Sequence, residues 1–514
     1  MSLRLLSVSA AALFLAATTS PAAAQDAAVE AQAVVIRDQA MRSNIALDYV
    51  TQVTTRFGAR PAGSRAEQQA AAWAADYMRA HGFQNVRIEE FPLIGWERGQ
   101  SSGEVLGEHP QALVLAALGH SPATPRGGVE GEVVRFTSLE ELQATPAGSL
   151  VGKIAYVDFG QMRPMQDGSG YGPQTRVRGA GPGVAAAKGA AAFVMRSVGS
   201  DEDRMPHTGT TRYVDGKPTI PSFALAAPDA DQVSRLVAMG EPVRLRLTST
   251  ARTYETRSQN VIGDLPGAAR PDEVIVYSAH WDHIGVGGDH AGGEDTIFNG
   301  AWDNASGTIG VLEMARELSK APRPERTIVF AHMAAEEMGL LGAYAYVADP
   351  VYPLETTVAD INIDMLPFTP ATRDVAVFGV GKSELEDILG RFAAVQGRVV
   401  TGDGYPEEGF YYRSDHFPFA RAGVPALMPW HGVDFVDGGK EAGWAAWRER
   451  FGRVYHQPSD EWSADWDLTS AVENLTLLYR LGLNLANGDE WPTWKPTSEF
   501  GQVRARSEAA RSSR

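Results

Sequence analysis

The chain has 514 residues, of which 44% are apolar and 21% are charged, an ordinary composition for a globular protein of roughly two to four domains. A formal net charge of −17 argues against nucleic acid or anionic lipid as a partner, so we expect neither. The chain contains no cysteine, which excludes disulfides, thiolate metal sites and cysteine nucleophiles. Any metal must therefore be held by histidine and carboxylate side chains.

The first 24 residues have the pattern of a cleaved export signal. Arg4 precedes an apolar stretch from Ala10 to Ala17, and the small residues Ala22 to Ala24 precede Gln25. An N-terminal membrane anchor is the alternative, but the apolar stretch is short and rich in alanine. We expect an exported protein, periplasmic or secreted, whose mature chain has no transmembrane segment.

Residues 25–105 are predicted to open an α/β domain. Ser64 to Glu67 form a capping box, apolar residues at helical spacing follow, and Asn85 to Phe91 alternate in the manner of a strand. Residues 106–250 are instead rich in glycine, proline and short β-like runs. This change predicts an inserted, mainly β module.

The α/β pattern returns over residues 251–490. Strands are predicted over 273–279, 327–331, 358–363 and 374–380, and helices over 306–318 and 468–486. This alternation predicts an α/β fold with a mostly parallel mixed sheet flanked by helices, and ligand sites at the C-terminal strand ends. The segment 491–514 ends in arginine and serine and is predicted to be a flexible tail.

Polar side chains cluster where the predicted strands end. His280 and Asp282 follow one strand two residues apart, so both point to the same side of an extended chain. This pattern suits a metal-binding imidazole oriented by a carboxylate, although a surface histidine–aspartate contact has the same spacing. Asp303 lies in a glycine-flanked turn, where an ordinary helix cap is the alternative. Asp364 ends an apolar strand, where burial without a partner would be costly.

The adjacent residues Glu336 and Glu337 follow the strand 327–331. Because neighbouring side chains diverge, we expect Glu337 to bind a metal and Glu336 to act as the general base on metal-bound water. A solvated glutamate pair at a helix start is the alternative. Tyr455 and His456 add a phenol and a second imidazole far along the chain, where a surface turn is the alternative.

Two histidines, three ligand carboxylates and one further glutamate from five segments match the needs of a pair of divalent ions. The mixture of imidazole and carboxylate favours Zn²⁺, with Co²⁺ or Mn²⁺ as alternatives, so we expect two Zn²⁺ per chain. The zincin motif His-Glu-x-x-His is absent. Serine hydrolysis is a weaker alternative.

The order His-x-Asp, Asp-Asn, Glu-Glu, Asp, His, preceded by Asn260 to Gly263, resembles the aminopeptidase and glutamate-carboxypeptidase family of co-catalytic zinc exopeptidases. The resemblance implies that Asp303 bridges two ions, that His280 and Asp364 complete one ion, and that Glu337 and His456 complete the other. It also implies that Glu336 is the base, that Asp282 is the carboxylate that orients a ligand histidine, and that Tyr455 is the oxyanion donor.

Two further segments also resemble known families. Ser414 to Phe419 looks like a loop that supports the site in this family, which makes Asp415 a candidate supporting residue, with a purely structural loop as the alternative. The insertion resembles a protease-associated domain through Leu150 to Ile154, Ala187 to Ala191 and Ile220 to Ser222. Such domains lie beside the active site.

The resemblance implies peptide substrates and a metalloaminopeptidase that hydrolyses N-terminal residues with a water activated by two zinc ions. A metallocarboxypeptidase or dipeptidase of the same family is the alternative, because Arg413 offers a cation for a terminal carboxylate unless it is an ordinary surface residue. A catalytically inactive binding homologue and a one-zinc cyclase are disfavoured by the complete ligand set.

Overall fold

The computed structural model describes residues 45–162, 171–200, 202–212, 219–287, 295–406 and 409–512. The export signal predicted over residues 1–24 lies outside these ranges. Among the helices of the described ranges, none is both long enough and apolar enough to cross a membrane.

Eighteen strands are present in the described residues. In chain order they are β1 Gln84–Glu97, β2 Ser101–Leu106, β3 Gln111–Leu113, β4 Leu115–Ala117, β5 Val129–Phe136, β6 Ile154–Val157, β7 Ala192–Arg196, β8 Ser222–Leu225, β9 Arg244–Ser249, β10 Arg252–Leu265, β11 Arg270–His280, β12 Gly285–Val286, β13 Ile297–Phe298, β14 Arg326–Met333, β15 Thr357–Asn362, β16 Asp374–Phe378, β17 Val399–Gly402 and β18 Ala426–Trp430.

Twelve α-helices accompany these strands in the same ranges. They are α1 Ile45–Phe57, α2 Arg65–Ala80, α3 Leu139–Ala144, α4 Tyr171–Ala187, α5 Ala227–Ala238, α6 Ser306–Lys320, α7 Leu341–Ala348, α8 Leu385–Val395, α9 His416–Arg421, α10 Gly439–Arg453, α11 Thr469–Asn487 and α12 Gly501–Ser512.

The larger sheet is mixed, with the strand order β1-β10-β14-β11-β15-β18-β16-β17. Its central neighbours β14, β11, β15 and β18 pair in parallel. The edge strand β1 pairs antiparallel with β10, and β10 pairs antiparallel with β14. Every residue of β14 is buried, which requires cover on both faces of the sheet. The predicted α/β architecture is confirmed.

The central register brings the ligand-bearing strand ends together. His280 at the end of β11 lies opposite Met333 at the end of β14. Ser278 on the same strand lies opposite Asn362, the last residue of β15. Because the three strands are parallel, their carboxyl ends share one edge of the sheet, where α/β proteins bind ligands.

The second sheet has the order β3-β2-β9-β5-β6-β7-β8-β4 and lies between β1 and β10 in the sequence. It begins at Ser101, so the change of sheet comes a few residues before the predicted boundary at residue 106. Beside its eight strands the module also contains the helices α3, α4 and α5. Glycines at 172, 179 and 181 and Pro182 lie within α4, which explains why the sequence pattern did not predict that helix.

Helix α2 begins at the predicted cap, with one difference. The Ser64 side chain accepts a hydrogen bond from Glu67 N at 3.1 Å. Glu67 does not close the box on Ser64 but turns back to accept from Gly63 N and from the Ser258 hydroxyl. The buried Glu67 carboxylate therefore joins the loop before α2 to strand β10.

The prediction of a flexible tail over 491–514 is wrong for the described part of that segment. Trp494 is buried and donates from Nε1 to Gly423 O at 2.9 Å. Phe500 is buried in the main core, and Arg504 of α12 is buried and donates to Thr357 O at 3.1 Å. Two aromatic anchors and one buried arginine hold a segment whose other residues are mostly polar.

Candidate active site

The first group of candidate ligands surrounds His280. This side chain is 1% exposed at the end of β11. Its Nε2 atom lies 3.1 Å from Asp303 Oδ1 and 3.4 Å from Asp364 Oδ1. Asp364 follows β15 by two residues, so the neighbouring parallel strand delivers it to the same edge. These three side chains can together hold one metal ion.

A second group shares Asp303. His456 Nε2 lies 3.1 Å from Asp303 Oδ2 and 3.2 Å from Glu337 Oε2. His283 Nδ1 lies 2.8 Å from Glu337 Oε1, and His283, Asp303 and Glu337 also form a group able to hold a metal. The two oxygens of Asp303 therefore face different imidazoles, as a bridging carboxylate requires.

The donor set fits Zn²⁺. In a tetrahedral zinc site with ligand bonds of about 2.0–2.1 Å, neighbouring ligand atoms are about 3.3–3.4 Å apart. The observed separations of 3.1–3.4 Å around His280 and His456 lie close to that value. Asp364 Oδ1 and Glu337 Oε1 are buried and, although an imidazole nitrogen lies near each, neither accepts a well-aligned hydrogen bond among the described residues, which is the state a metal would satisfy.

Glu336 and Glu337 diverge from a common backbone. Glu336 Oε2 lies 4.0 Å from His280 Nε2, and its backbone N–H donates to Asp282 Oδ1 at 3.1 Å. Burial and the neighbouring Glu337 raise the pKa of Glu336 well above its usual value, against the opposing effect of His280. Burial acts in the same sense on Glu337, but His456 and His283 together oppose it, and the pKa of Glu337 is lowered to about 2.

Asp282 lies beneath His280 and is fully buried. Its Oδ1 is 3.8 Å from His280 Nδ1, whereas its own backbone carbonyl oxygen is 3.3 Å away. Burial raises the pKa of Asp282 to about 6, although His280 opposes the shift. The carboxylate thus acts on His280 electrostatically and fixes Glu336 through the backbone.

The loop that carries Asp303 is held by two polar side chains. Asp460 accepts hydrogen bonds from Trp302 N at 2.6 Å and from Asp303 N at 2.9 Å. Asn304 donates to Ile363 O at 2.9 Å and accepts from Met365 N at 3.0 Å. Asn304 therefore ties the Asp303 loop to the segment that carries the next ligand.

Asp364 has its own support. The Ser414 hydroxyl donates to Asp364 Oδ2 at 2.6 Å and accepts from Asn362 Nδ2 at 2.6 Å. Asp415 is fully buried next to Ser414, but neither of its oxygens has a hydrogen-bond donor within the described residues. Burial raises the pKa of Asp415 well above its usual value, and His280 opposes this shift. Asp415 therefore faces His280 electrostatically rather than through a hydrogen bond.

Among the candidate ligands and the residues adjacent to Glu336 and Asp364, three non-glycine residues have a left-handed backbone. Ala335 precedes Glu336, Met365 follows Asp364, and His456 is itself a candidate ligand, and each has φ of 56°. Such conformations cost about 1–3 kcal/mol each and cluster at functional sites. The surrounding packing must hold them in place.

A cavity of about 490 Å³ opens onto these ligands. Tyr455 and Arg413 are on its wall, and Thr210 of the inserted module also lines it. The Tyr455 ring stacks on His456 with centroids 3.8 Å apart, and Arg413 Nη2 donates to the Tyr455 hydroxyl at 3.5 Å. The Arg413 guanidinium lies over the ring of Phe410. All the predicted ligands and Glu336 thus converge on one cavity, with two further side chains beside them.

A serine nucleophile has no suitable context here. Gly99 to Gly103 match the pattern Gly-x-Ser-x-Gly, but Ser101 begins strand β2 rather than a strand-to-helix turn. The Ser101 hydroxyl accepts a hydrogen bond from Ala117 N at 3.3 Å.

Sequence reasoning assigned no role to His283 or Asp460. His283 follows His280 by three residues and turns toward Glu337, whereas His280 faces Asp364. Asp460 follows His456 by four residues and binds the Asp303 loop. The sequence signal that could have indicated them was an ionisable residue three or four positions after each predicted ligand histidine.

Comparisons with known proteins cover the residues that form this site. Residues 260–479 match the model of peptidase family M28. The chain is 32% identical to mouse (Mus musculus) carboxypeptidase Q over 293 residues, which cover 56% of this chain and 58% of the relative. The match therefore spans less than two thirds of that curated relative.

Solved structures extend the likeness over most of the chain. The structure of a peptidase M28 precursor from Shewanella amazonensis superimposes with a TM-score of 0.66 at 28% identity, covering 92% of this chain and 99% of the other. A zinc aminopeptidase from Bacillus subtilis gives a TM-score of 0.59 at 23% identity, covering 89% and 96%. The second likeness shows the fold alone.

The mixed sheet with paired histidine and carboxylate groups at its parallel strand ends defines a metallohydrolase class of site. The region that carries this site, residues 260–479, is similar to peptidase family M28, and the comparisons support a co-catalytic zinc exopeptidase.

Proposed function

We propose that this protein is a metal-dependent aminopeptidase that removes N-terminal residues from peptides. The observation that carries the proposal is Asp303, whose two oxygens each lie 3.1 Å from a different imidazole. That arrangement supports two Zn²⁺ per chain, with His280 and Asp364 on one side and Glu337 and His456 on the other. His283 is a further candidate ligand beside Glu337.

Bound zinc would supply Lewis acidity and lower the pKa of a water molecule. Glu336 is placed to act as the general base, since it lies beside His280 without being part of either ligand group. Its carboxylate would accept a proton from the attacking water and later return it to the leaving amine. The Tyr455 hydroxyl, on the cavity wall, would donate to the oxyanion that develops on the substrate carbonyl.

A carboxypeptidase or dipeptidase activity is the second candidate. Arg413 lines the same cavity, and within the described residues it forms no ion pair with a carboxylate. It is therefore available to a substrate carboxylate, which a guanidinium binds with two parallel hydrogen bonds. The likeness to carboxypeptidase Q points in the same direction.

Two further expectations belong to this proposal. The signal-like first 24 residues support export to the periplasm or secretion. The sequence likeness of the insertion supports a protease-associated domain, and Thr210 on the cavity wall is consistent with a position beside the active site.

The test is an assay of the protein lacking residues 1–24 against aminoacyl chromogenic amides and N-blocked dipeptides, with and without chelator. Glu336→Gln should reduce kcat by roughly 10²–10⁴-fold while zinc stays bound, because it removes the general base but no ligand. The exposed Glu441→Gln on α10 is the matched control and should keep parental activity.

Chelator-sensitive release from free-amine substrates alone would support the aminopeptidase. Cleavage of blocked dipeptides would favour the carboxypeptidase instead. Full activity in chelator, or in Glu336→Gln, would refute the proposed mechanism.

A further inference from the structure

Arg60 lies in the loop between α1 and α2 and is 0% exposed. Its guanidinium binds backbone carbonyl oxygens rather than a carboxylate. It donates from Nε to Trp281 O at 2.9 Å, from Nη1 to Asn299 O at 2.9 Å and from Nη2 to Gly300 O at 3.4 Å. One side chain therefore spans two segments of the chain that are far apart in sequence.

Both segments carry candidate ligands. Trp281 follows His280 directly, and Gly300 precedes Asp303 by three residues. The backbone adds a further link, since His283 N donates to Arg60 O at 3.4 Å. Arg60 thus connects the histidine loop after β11 with the loop of the shared aspartate.

The loop that presents Arg60 is itself well anchored. Gly63 N donates to the buried Glu67 carboxylate, and the Thr256 hydroxyl donates to Gly63 O at 2.9 Å. Ser64 caps helix α2 immediately afterwards. The backbone of Arg60 is therefore held in place, and its side chain can hold both loops in fixed positions.

The chemistry explains why the residue is arginine. A buried cation without a hydrogen-bonded carboxylate is costly, and burial lowers the pKa of Arg60 to about 10, against the opposing effects of Tyr49, Asp282 and Asp460. Guanidinium offers five donors in a rigid planar fork and can satisfy several carbonyl groups at once. Lysine has its three donors on one nitrogen atom and cannot reach all of these carbonyl oxygens at once.

We propose that Arg60 is a positioning residue of the metal centre, which sets the separation of the His280 and Asp303 loops and thereby the affinity for Zn²⁺. The proposal rests on the proposed function only in taking these residues as zinc ligands. Zinc affinity can be measured without catalysis, so the two ideas can fail separately.

The experiment measures Zn²⁺ affinity of the full mature chain by competition with a chromophoric chelator, together with the thermal unfolding midpoint. Arg60→Gln should weaken zinc binding by about 10–100-fold, the usual loss when a group that orients metal ligands is removed. Arg60→Lys should lie between this variant and the parent, because it keeps the charge but loses the fork.

Arg398→Gln is the matched control. Arg398 is also buried, and it donates to Asp374 O at 2.7 Å and to the Thr372 hydroxyl at 3.1 Å, away from the cavity. We expect it to lower the unfolding midpoint while leaving zinc affinity within about twofold of the parent.

Equal zinc affinity in Arg60→Gln and the parent would overturn the proposal, as would an equal loss in Arg398→Gln. If Arg60→Gln does not fold, Arg60→Lys decides, and a zinc affinity within twofold of the parent would count against it. A parent chain that binds no Zn²⁺ would contradict the proposed function as well.

Discussion

Tyr455 must keep its hydroxyl proton to play its proposed role as a hydrogen-bond donor. Its ring stacks on His456, and its hydroxyl lies on the wall of the ligand cavity. Burial, reinforced by Asp303, raises the pKa of Tyr455 well above its usual value, so the phenol stays protonated at neutral pH and can donate. Tyr455→Phe should therefore lower kcat by about 10²–10³-fold, as loss of one oxyanion donor does, with little change in KM.

The cavity offers a matched control for that substitution. Tyr412 lines the same wall, but its hydroxyl donates to Glu499 at 3.1 Å and faces away from the ligands. Tyr412→Phe should leave kcat within about twofold of the parent. Steady-state kinetics on one aminoacyl amide suffice, and equal losses in both variants would mean that Tyr455 acts only by packing.

At the residue scale the sequence predicted side chains whose placement follows from the strands. His280 and Asp364 adjoin the ends of parallel strands, and parallel strands share a carboxyl edge. Arg60 and Asp460 could not be found in this way, because their partners are backbone groups in loops more than a hundred residues away. A regular spacing of apolar residues predicts helices and strands, whereas the conformation of a loop is fixed only by the packed tertiary structure.

The C-terminal segment shows the same limit at the scale of an element. Its composition is polar, but Trp494 and Phe500 pack together with ring centroids 5.1 Å apart and enter the main core. Trp494→Ala should lower the free energy of unfolding by about 3–5 kcal/mol, because it opens a large cavity and leaves Gly423 O without its donor. Urea unfolding followed by circular dichroism measures this loss.

A surface residue of α12 tests whether the effect comes from burial. Gln502 is exposed on the same helix, and Gln502→Ala should change the free energy of unfolding by less than about 0.5 kcal/mol. A loss below about 1 kcal/mol in Trp494→Ala would mean that the segment contributes little, in line with the original prediction of a flexible tail.

At the scale of the whole molecule, the inserted module and the larger sheet have separate hydrophobic cores. The core of the larger sheet contains Leu93 and Val261, and none of its members comes from the sequence between these two residues. The two core clusters of the module consist of residues between Val105 and Leu247. Cores that share no residue are expected of parts that fold as separate units. The module contributes Thr210 to the lining of the ligand cavity.

The strand register indicates where the module can be removed. Glu97 at the end of β1 pairs directly with Arg252 at the start of β10, and their side chains form an ion pair of 2.7 Å. Replacing residues 98–251 with Asn-Gly would close β1 and β10 as a two-residue hairpin, the connection that antiparallel strands favour. We expect the shortened chain to unfold cooperatively and to bind Zn²⁺ with nearly parental affinity, since every proposed ligand and Arg60 remain.

The shortened chain and the parent should then differ in their preference for long over short peptide substrates. With the module gone, the cavity loses Thr210 from its lining and is more open on that side, so kcat/KM for peptides of five or more residues should rise relative to that for a dipeptide amide. The measurement is the ratio of the two kcat/KM values in the shortened and parent chains. An unchanged ratio in a folded, zinc-binding variant would show that the module does not limit access, and loss of cooperative unfolding would show that the two cores depend on each other.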